Sequence, residues 1–192
     1  MSLPEPMAEP GAQFLAEIRE QPAALRRLLE HRAQYAAVAS AAPSGLVRMV
    51  GHGSSDNAAS YGVYAFGLLA DRTAIRDSIS LTVYYDAKLD LAGSTVVALS
   101  QSGRTPDVLE YVTRARRKGA FTIAVTNDPA SALAEAADAV LPLAAGDEHA
   151  VAATRSPPVW SRRQLSSSGT FRCSSARPPR SRFRLPRSGG CS

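Results

Sequence analysis

Ser100-Gln101-Ser102-Gly103-Arg104-Thr105-Pro106 is the stretch whose reading decides the fold. Before it runs Thr95-Val96-Val97-Ala98-Leu99. That run is short, apolar and β-branched, the composition of a strand buried on both faces of a parallel sheet. After it, Thr105-Pro106-Asp107 has the form of a helix start: a hydroxyl at the cap, proline at the first helical position and an acid in the first turn. A hydroxyl-rich turn between a buried strand and a helix N-terminus binds anions, because free backbone N–H groups and the positive end of the helix dipole point into it. Three hydroxyls and one side-chain amide supply further donors, and phosphate is the natural guest.

The same design occurs once more upstream. Leu46 to Val50 is a strand candidate, Gly51-His52-Gly53-Ser54-Ser55-Asp56-Asn57 follows as a loop, and Ala58 to Leu69 has a helix pattern. Gly51 and Gly53 allow a tight turn and close backbone approach to a ligand. A single Gly-x-Gly is weak, and here the third glycine of a dinucleotide fingerprint is missing. Two such loops in one α/β sheet carry more, because both open at the carboxyl edge where these folds bind ligands.

The rest of the chain alternates in the same way. Phe14 to Ala42 predicts a helix with Phe14, Leu15, Ile18, Leu25, Leu28 and Leu29 as apolar positions, interrupted at Pro22. A weaker strand is expected within Ile75 to Tyr85 and a short helix over Lys88 to Leu91. A helix over Pro106–Lys118 ends at Gly119 and carries Arg114, Arg116, Arg117 and Lys118 near its C-terminus. Phe121 to Val125 reads as a strand, Ser131 to Asp138 as a helix, and Ala139 to Leu143 as a last strand. The pattern predicts a three-layer α-β-α sandwich with a parallel, flavodoxin-like sheet.

Composition divides the chain unevenly. Of 192 residues, 1–154 hold all 17 acids and 13 of the 22 bases, whereas 155–192 hold nine arginines and no acid. Cys173, Cys191 and Trp160 also lie in 155–192, so the first part has no disulfide framework, thiolate nucleophile or cysteine metal site. The expected organisation is an N-terminal extension over 1–13, one domain over 14–154, and a disordered Arg/Ser/Pro-rich tail over 155–192. The loss of pattern after Ala153 reads as a change of reading frame. Assigning TCN serines and CGN arginines and reading two bases later recodes Ser161 to Gln164 as small residues and Leu165 to Ser167 as apolar ones. An arginine-rich arm for nucleic acid is the alternative, and nucleic acid is not the expected partner. No stretch is long and apolar enough to span a membrane, and the acidic, proline-rich start is unlike a signal peptide, which together point to the cytoplasm.

At this point the motifs resemble a known family. Residues 14–155 resemble the first half of the isomerase region of glucosamine–fructose-6-phosphate aminotransferase, a pair of sugar isomerase (SIS) domains, and related glucosamine-6-phosphate deaminases. Glu17 to Pro22 resembles the opening helix, Gly51 to Asn57 the first sugar-phosphate loop, and Ser100 to Thr105 the Ser-Gln-Ser-Gly-x-Thr phosphate loop. Glu148 to Arg155 is similar to a Glu-x-x-Val-Ala-Ser-Thr-Lys turn after the last strand. The resemblance implies that Ser54, Ser55, Ser100, Gln101, Ser102 and Thr105 hold a sugar phosphate, such as fructose 6-phosphate or glucosamine 6-phosphate, and that Val151 lines the pocket. It implies no cofactor. It also implies that the glutaminase domain and the second SIS domain, which carries the enolisation base and a lysine, lie outside this chain.

Competing readings are plain. Ser102 and Thr105 are also ordinary helix caps, and Asp56 and Asn57 are most simply caps. His52 reads as a loop residue, since no partner acid is fixed by spacing. His31, His52 and His149 share no ligand spacing, so no metal is expected. The functional alternatives are a sugar-phosphate-sensing regulatory module and a non-functional fragment. Self-association is expected from apolar sheet surface left uncovered where the pattern stops.

Overall fold

A computed structural model of the chain describes residues 11–147. Its elements are α1 (Ala12–Glu30), α2 (Arg32–Ala41), β1 (Val47–Gly51), α3 (Ser54–Leu69), β2 (Ala74–Arg76), α4 (Ile79–Val83), β3 (Thr95–Leu99), α5 (Pro106–Arg117), β4 (Phe121–Thr126), α6 (Ala132–Ala136) and β5 (Ala139–Pro142). The five strands are all parallel and lie in the order β2-β1-β3-β4-β5.

The strand sequences explain the three layers. Side chains alternate between sheet faces with period two. Val47 and Met49 of β1, Val97 and Leu99 of β3, and Ile123 and Val125 of β4 face one core, shared with Ala24 and Leu28 of α1, Tyr35 of α2 and Ala58, Ala59 and Phe66 of α3. Val50, Val96, Ala98 and Ala124 face the other, closed by Ile79 of α4, Val108, Tyr111, Val112 and Ala115 of α5, and Leu133 of α6. All five residues of β3 are buried, as expected of the central strand of such a sheet.

Arg48 points into the second core and meets Asp77 just after β2, Nη1 to Oδ2 at 2.6 Å. The Tyr111 hydroxyl donates to the same carboxylate oxygen at 2.7 Å. Burial, and then Asp77, push the Tyr111 phenol far above its ordinary pKa. This buried trio ties β1, the end of β2 and α5 together below the carboxyl edge.

Several expectations fail for identifiable reasons. Pro22 does not interrupt α1, which runs through it and ends at Glu30. Pro22 lies on the exposed side, where the Ile18 carbonyl that loses its bond can be hydrated. Of the six apolar positions only Leu28 is fully buried and Leu25 partly so. Phe14, Leu15, Ile18 and Leu29 are exposed, because the helix meets the sheet along Glu17, Ala24 and Leu28. The weaker strand expected within Ile75 to Tyr85 is present as β2 at the start of that span, three residues long and beginning at Ala74, whereas Ile79–Val83 forms a helical turn that buries Ile79 and Thr82. Lys88 to Leu91 is not helical. Helix α6 is shorter than expected, capped by Ser131, whose hydroxyl accepts from the Ala134 amide. The tail over 155–192 lies outside the described residues.

Candidate functional site

Strand order places the site. In a sheet ordered 2-1-3-4-5, connections leave in opposite directions on either side of the β1/β3 boundary, and ligands bind in the crevice at those carboxyl ends. Register makes the two ends level, since Gly51 of β1 pairs with Leu99 of β3. The segments Gly51 to Ser55 and Ser100 to Thr105 therefore rise side by side, one into α3 and the other into α5.

The second segment is tightly specified. Ser100 is 3% exposed, and its Oγ lies 3.0 Å from the Thr105 Oγ1. The Gln101 carbonyl accepts from the Asn127 amide at 2.9 Å and from the Thr126 hydroxyl at 3.2 Å, so the end of β4 fixes the turn from outside. Ser102 is exposed, and its Oγ accepts from the Arg104 amide. Gly103 has φ +64°, and a Cβ there would sit 2.0 Å from the Ser131 Oγ. Its amide donates to the Ser100 carbonyl and its carbonyl accepts from Leu133, which closes the turn against α6. Thr105 stands at the cap position of α5, but its hydroxyl bonds to Ser100 instead of capping. Leu109 donates to the Thr105 carbonyl. The Asp107 and Val108 amides, ahead of it, have no intrahelical acceptor and are the ones an anion would use.

The first segment differs from its expected loop. Helix α3 begins at Ser54, so Ser54 to Asn57 form its first turn and Gly53, at φ +59°, takes the cap position. Asp56 is therefore no cap; it pairs with Arg76 at 3.2 Å. The Ser55 and Asp56 amides are already bonded to the His52 and Gly53 carbonyls. Ser54 is exposed and Ser55 is buried at 6%, pressed on Gly51, where a Cβ would meet the Ser55 backbone at 3.0 Å. The structure thus places Ser54, Ser55, Ser100, Gln101, Ser102 and Thr105 on two adjoining turns at the carboxyl ends of β1 and β3, with Ser54 and Ser102 exposed. Val151, Glu148 and His149 lie outside the described residues.

One contact across the crevice was not legible in the sequence. His52 Nε2 lies 3.2 Å from Asp107 Oδ2, joining the turn after β1 to the first turn of α5. Tyr84, after α4, lies near the same carboxylate, and Asp107, as hydrogen-bond acceptor and as charge, raises its phenol above the ordinary value. Arg104 points instead to Asp128 at 3.6 Å. Among the described residues, no group of three or more His, Cys, Asp or Glu side chains is placed to hold a metal ion. A separate hollow lies between α1 and the segment after β5, lined by Gln13, Glu17, Glu20, Arg27, Gly146 and Asp147 among others, and includes none of the six candidate residues of the two turns.

A parallel doubly wound sheet with paired hydroxyl-bearing turns at its switch point defines a doubly wound α/β domain. The chain belongs to the SIS domain family, whose sequence model matches residues 44–160. It is 40% identical over 146 residues to the glutamine–fructose-6-phosphate aminotransferase [isomerizing] of Aeropyrum pernix, covering 74% of this chain and 24% of that one. Among solved structures it is similar to a "putative phosphosugar isomerase" from Silicibacter pomeroyi DSS-3, with 36% identity and a TM-score of 0.75 over 81% of this chain and 49% of that one. It shares the fold of the C-terminal domain of glucosamine-fructose-6-phosphate aminotransferase from Francisella tularensis, TM-score 0.72 at 24% identity over 84% of this chain and 48% of that one. The chain thus spans about a quarter of the curated relative and about half of each solved one. Among the described residues, no helix is long and apolar enough to cross a membrane.

Proposed function

We propose that this chain binds a sugar phosphate, with the phosphate seated on the N-terminus of α5 and the sugar lying toward α3. The observation that supports this best is the level pairing of Gly51 with Leu99, which sets two hydroxyl-bearing turns side by side at the sheet's switch point. Ser102, Thr105 and the free amides of Asp107 and Val108 supply donors to the phosphate. Ser100 acts from below by orienting the Thr105 hydroxyl. Ser54 offers its hydroxyl to the sugar, and Ser55 shapes the turn that presents it. Fructose 6-phosphate and glucosamine 6-phosphate are the candidate ligands, in keeping with the names of the relatives, and a cytoplasmic location suits such metabolites.

The parent chemistry we infer is isomerisation, amination or deamination of a ketose or amino-sugar 6-phosphate, shared with a second domain not represented in residues 11–147. Proton transfer at carbons 1 and 2 needs a base within hydrogen-bond reach. At the described crevice the one imidazole is engaged by Asp107. Phosphate affinity alone does not raise the rate of the chemical step.

Isothermal titration calorimetry with fructose 6-phosphate and unphosphorylated fructose tests the binding reading. Saturable binding of the phosphate ester, with fructose bound far more weakly, is the expected result. Equal affinity for both sugars, or heat from neither, would refute it.

A further inference from the structure

The anion site contains an acid, and the arrangement around that acid is informative. Asp107 is the acidic residue in the first turn of α5. A carboxylate there interacts favourably with the helix N-terminus when the site is empty. The same carboxylate opposes any second anion brought to the same amides. The groups that face it are His52, from the turn after β1 at 3.2 Å, and Tyr84, from beyond α4. Arg104, on the phosphate turn itself, is directed to Asp128. A phenol removes no charge. Of the groups facing Asp107, the imidazole of His52 is therefore the one that can carry a neutralising positive charge. Side-chain exposures of 50% for His52 and 32% for Asp107 show a pair open to solvent, so the fold does not depend on it.

We propose that His52 is a positioning residue that makes the β1/β3 crevice anion-competent, by neutralising Asp107 at the head of α5. The inference rests on the sugar-phosphate reading above. It assigns His52 no contact with the ligand. Its effect passes through Asp107, and this separates it from a direct phosphate ligand and from a proton-transfer group.

The test is a double-mutant cycle with the wild type, His52→Ala, Asp107→Asn and the two changes combined. Each is titrated with inorganic phosphate and with fructose 6-phosphate at low salt and about pH 6. Chemical denaturation of all four confirms that they are folded. His52→Ala is expected to weaken phosphate binding roughly tenfold, a deficit that shrinks in high salt. Asp107→Asn should bind at least as tightly as the wild type, and adding His52→Ala to it should change affinity little. Wild-type affinity in His52→Ala would overturn the proposal, and so would an equal loss in both backgrounds, the signature of direct contact. Ser102→Ala with Thr105→Ala separates the two levels. If that variant loses binding while His52→Ala keeps it, only the counter-ion role fails; if the wild type binds neither probe, the sugar-phosphate reading fails and takes this one with it.

Discussion

Gly103→Ala should be among the most damaging single-methyl changes available to this domain. Two independent costs meet at that position. The backbone sits at φ +64°, where an L-residue loses about 1–2 kcal/mol relative to glycine. The added Cβ would also lie 2.0 Å from the Ser131 Oγ, 2.4 Å from its Cβ and 2.8 Å from the Thr126 Oγ1. Ser131 caps α6 and Thr126 holds the Gln101 carbonyl, so neither can move without releasing a hydrogen bond. Overpacking of this kind costs about 1–3 kcal/mol. The sum is about 2–5 kcal/mol, or roughly 8–20 °C in Tm for a domain of this size. Gly119→Ala is the control. It has φ +80°, but its Cβ would meet only Ala92 at 3.7 Å, an ordinary contact, so about 1–2 kcal/mol is expected. Urea denaturation followed by circular dichroism measures both. If Gly103→Ala is no more destabilising than Gly119→Ala, the turn is not clamped against α6 and the derivation of its shape is wrong.

Two further predictions concern the supports of the sheet. Asp77→Ala leaves the Arg48 guanidinium buried without its carboxylate and the Tyr111 hydroxyl without its acceptor, so about 3–5 kcal/mol of stability should be lost; a loss below about 1 kcal/mol in urea denaturation would show that Arg48 finds water. Burial acts to raise the Asp138 carboxyl, but hydrogen bonds from the Thr122 amide and hydroxyl, together with Arg116, outweigh it and hold the pKa below the usual value of 3.8. That stabilisation is fully present above the ordinary carboxylate pKa and is lost as pH falls through the lowered folded value. Wild type should therefore lose more stability than Asp138→Asn between about pH 5 and 2, and parallel acid profiles would count against the assignment.

Much of this architecture was legible because the central strands announce themselves. Thr95–Leu99 and Phe121–Thr126 are apolar runs between turn residues, and burial on both faces leaves them little choice of structure. Thr105-Pro106 and Gly119 bracket α5 as caps do, even though the Thr105 hydroxyl serves Ser100 instead. Edges were harder. Ile79-Ser80-Leu81-Thr82-Val83 has strand-like residues, yet it folds as a helical turn because Ile79 and Thr82, three apart, both bury against α5's side of the sheet. Helix α1 misled in the other direction, since its large apolar side chains mostly face outward while small Ala24 makes the close contact. In the site, residues local to one turn could be named from the sequence. The His52–Asp107 contact could not, because 55 residues separate its partners and only the β1/β3 register brings them together.

The central claim is the location of the ligand, and an amide-resolved NMR titration with fructose 6-phosphate tests it most directly. Shift changes should be saturable and concentrate on the amides of Gly51 to Ser55, Ser102 to Thr105, Asp107 and Val108. Changes centred on Gln13 to Glu20 and Gly146, or no changes up to millimolar ligand, would contradict a sugar-phosphate site at the β1/β3 crevice.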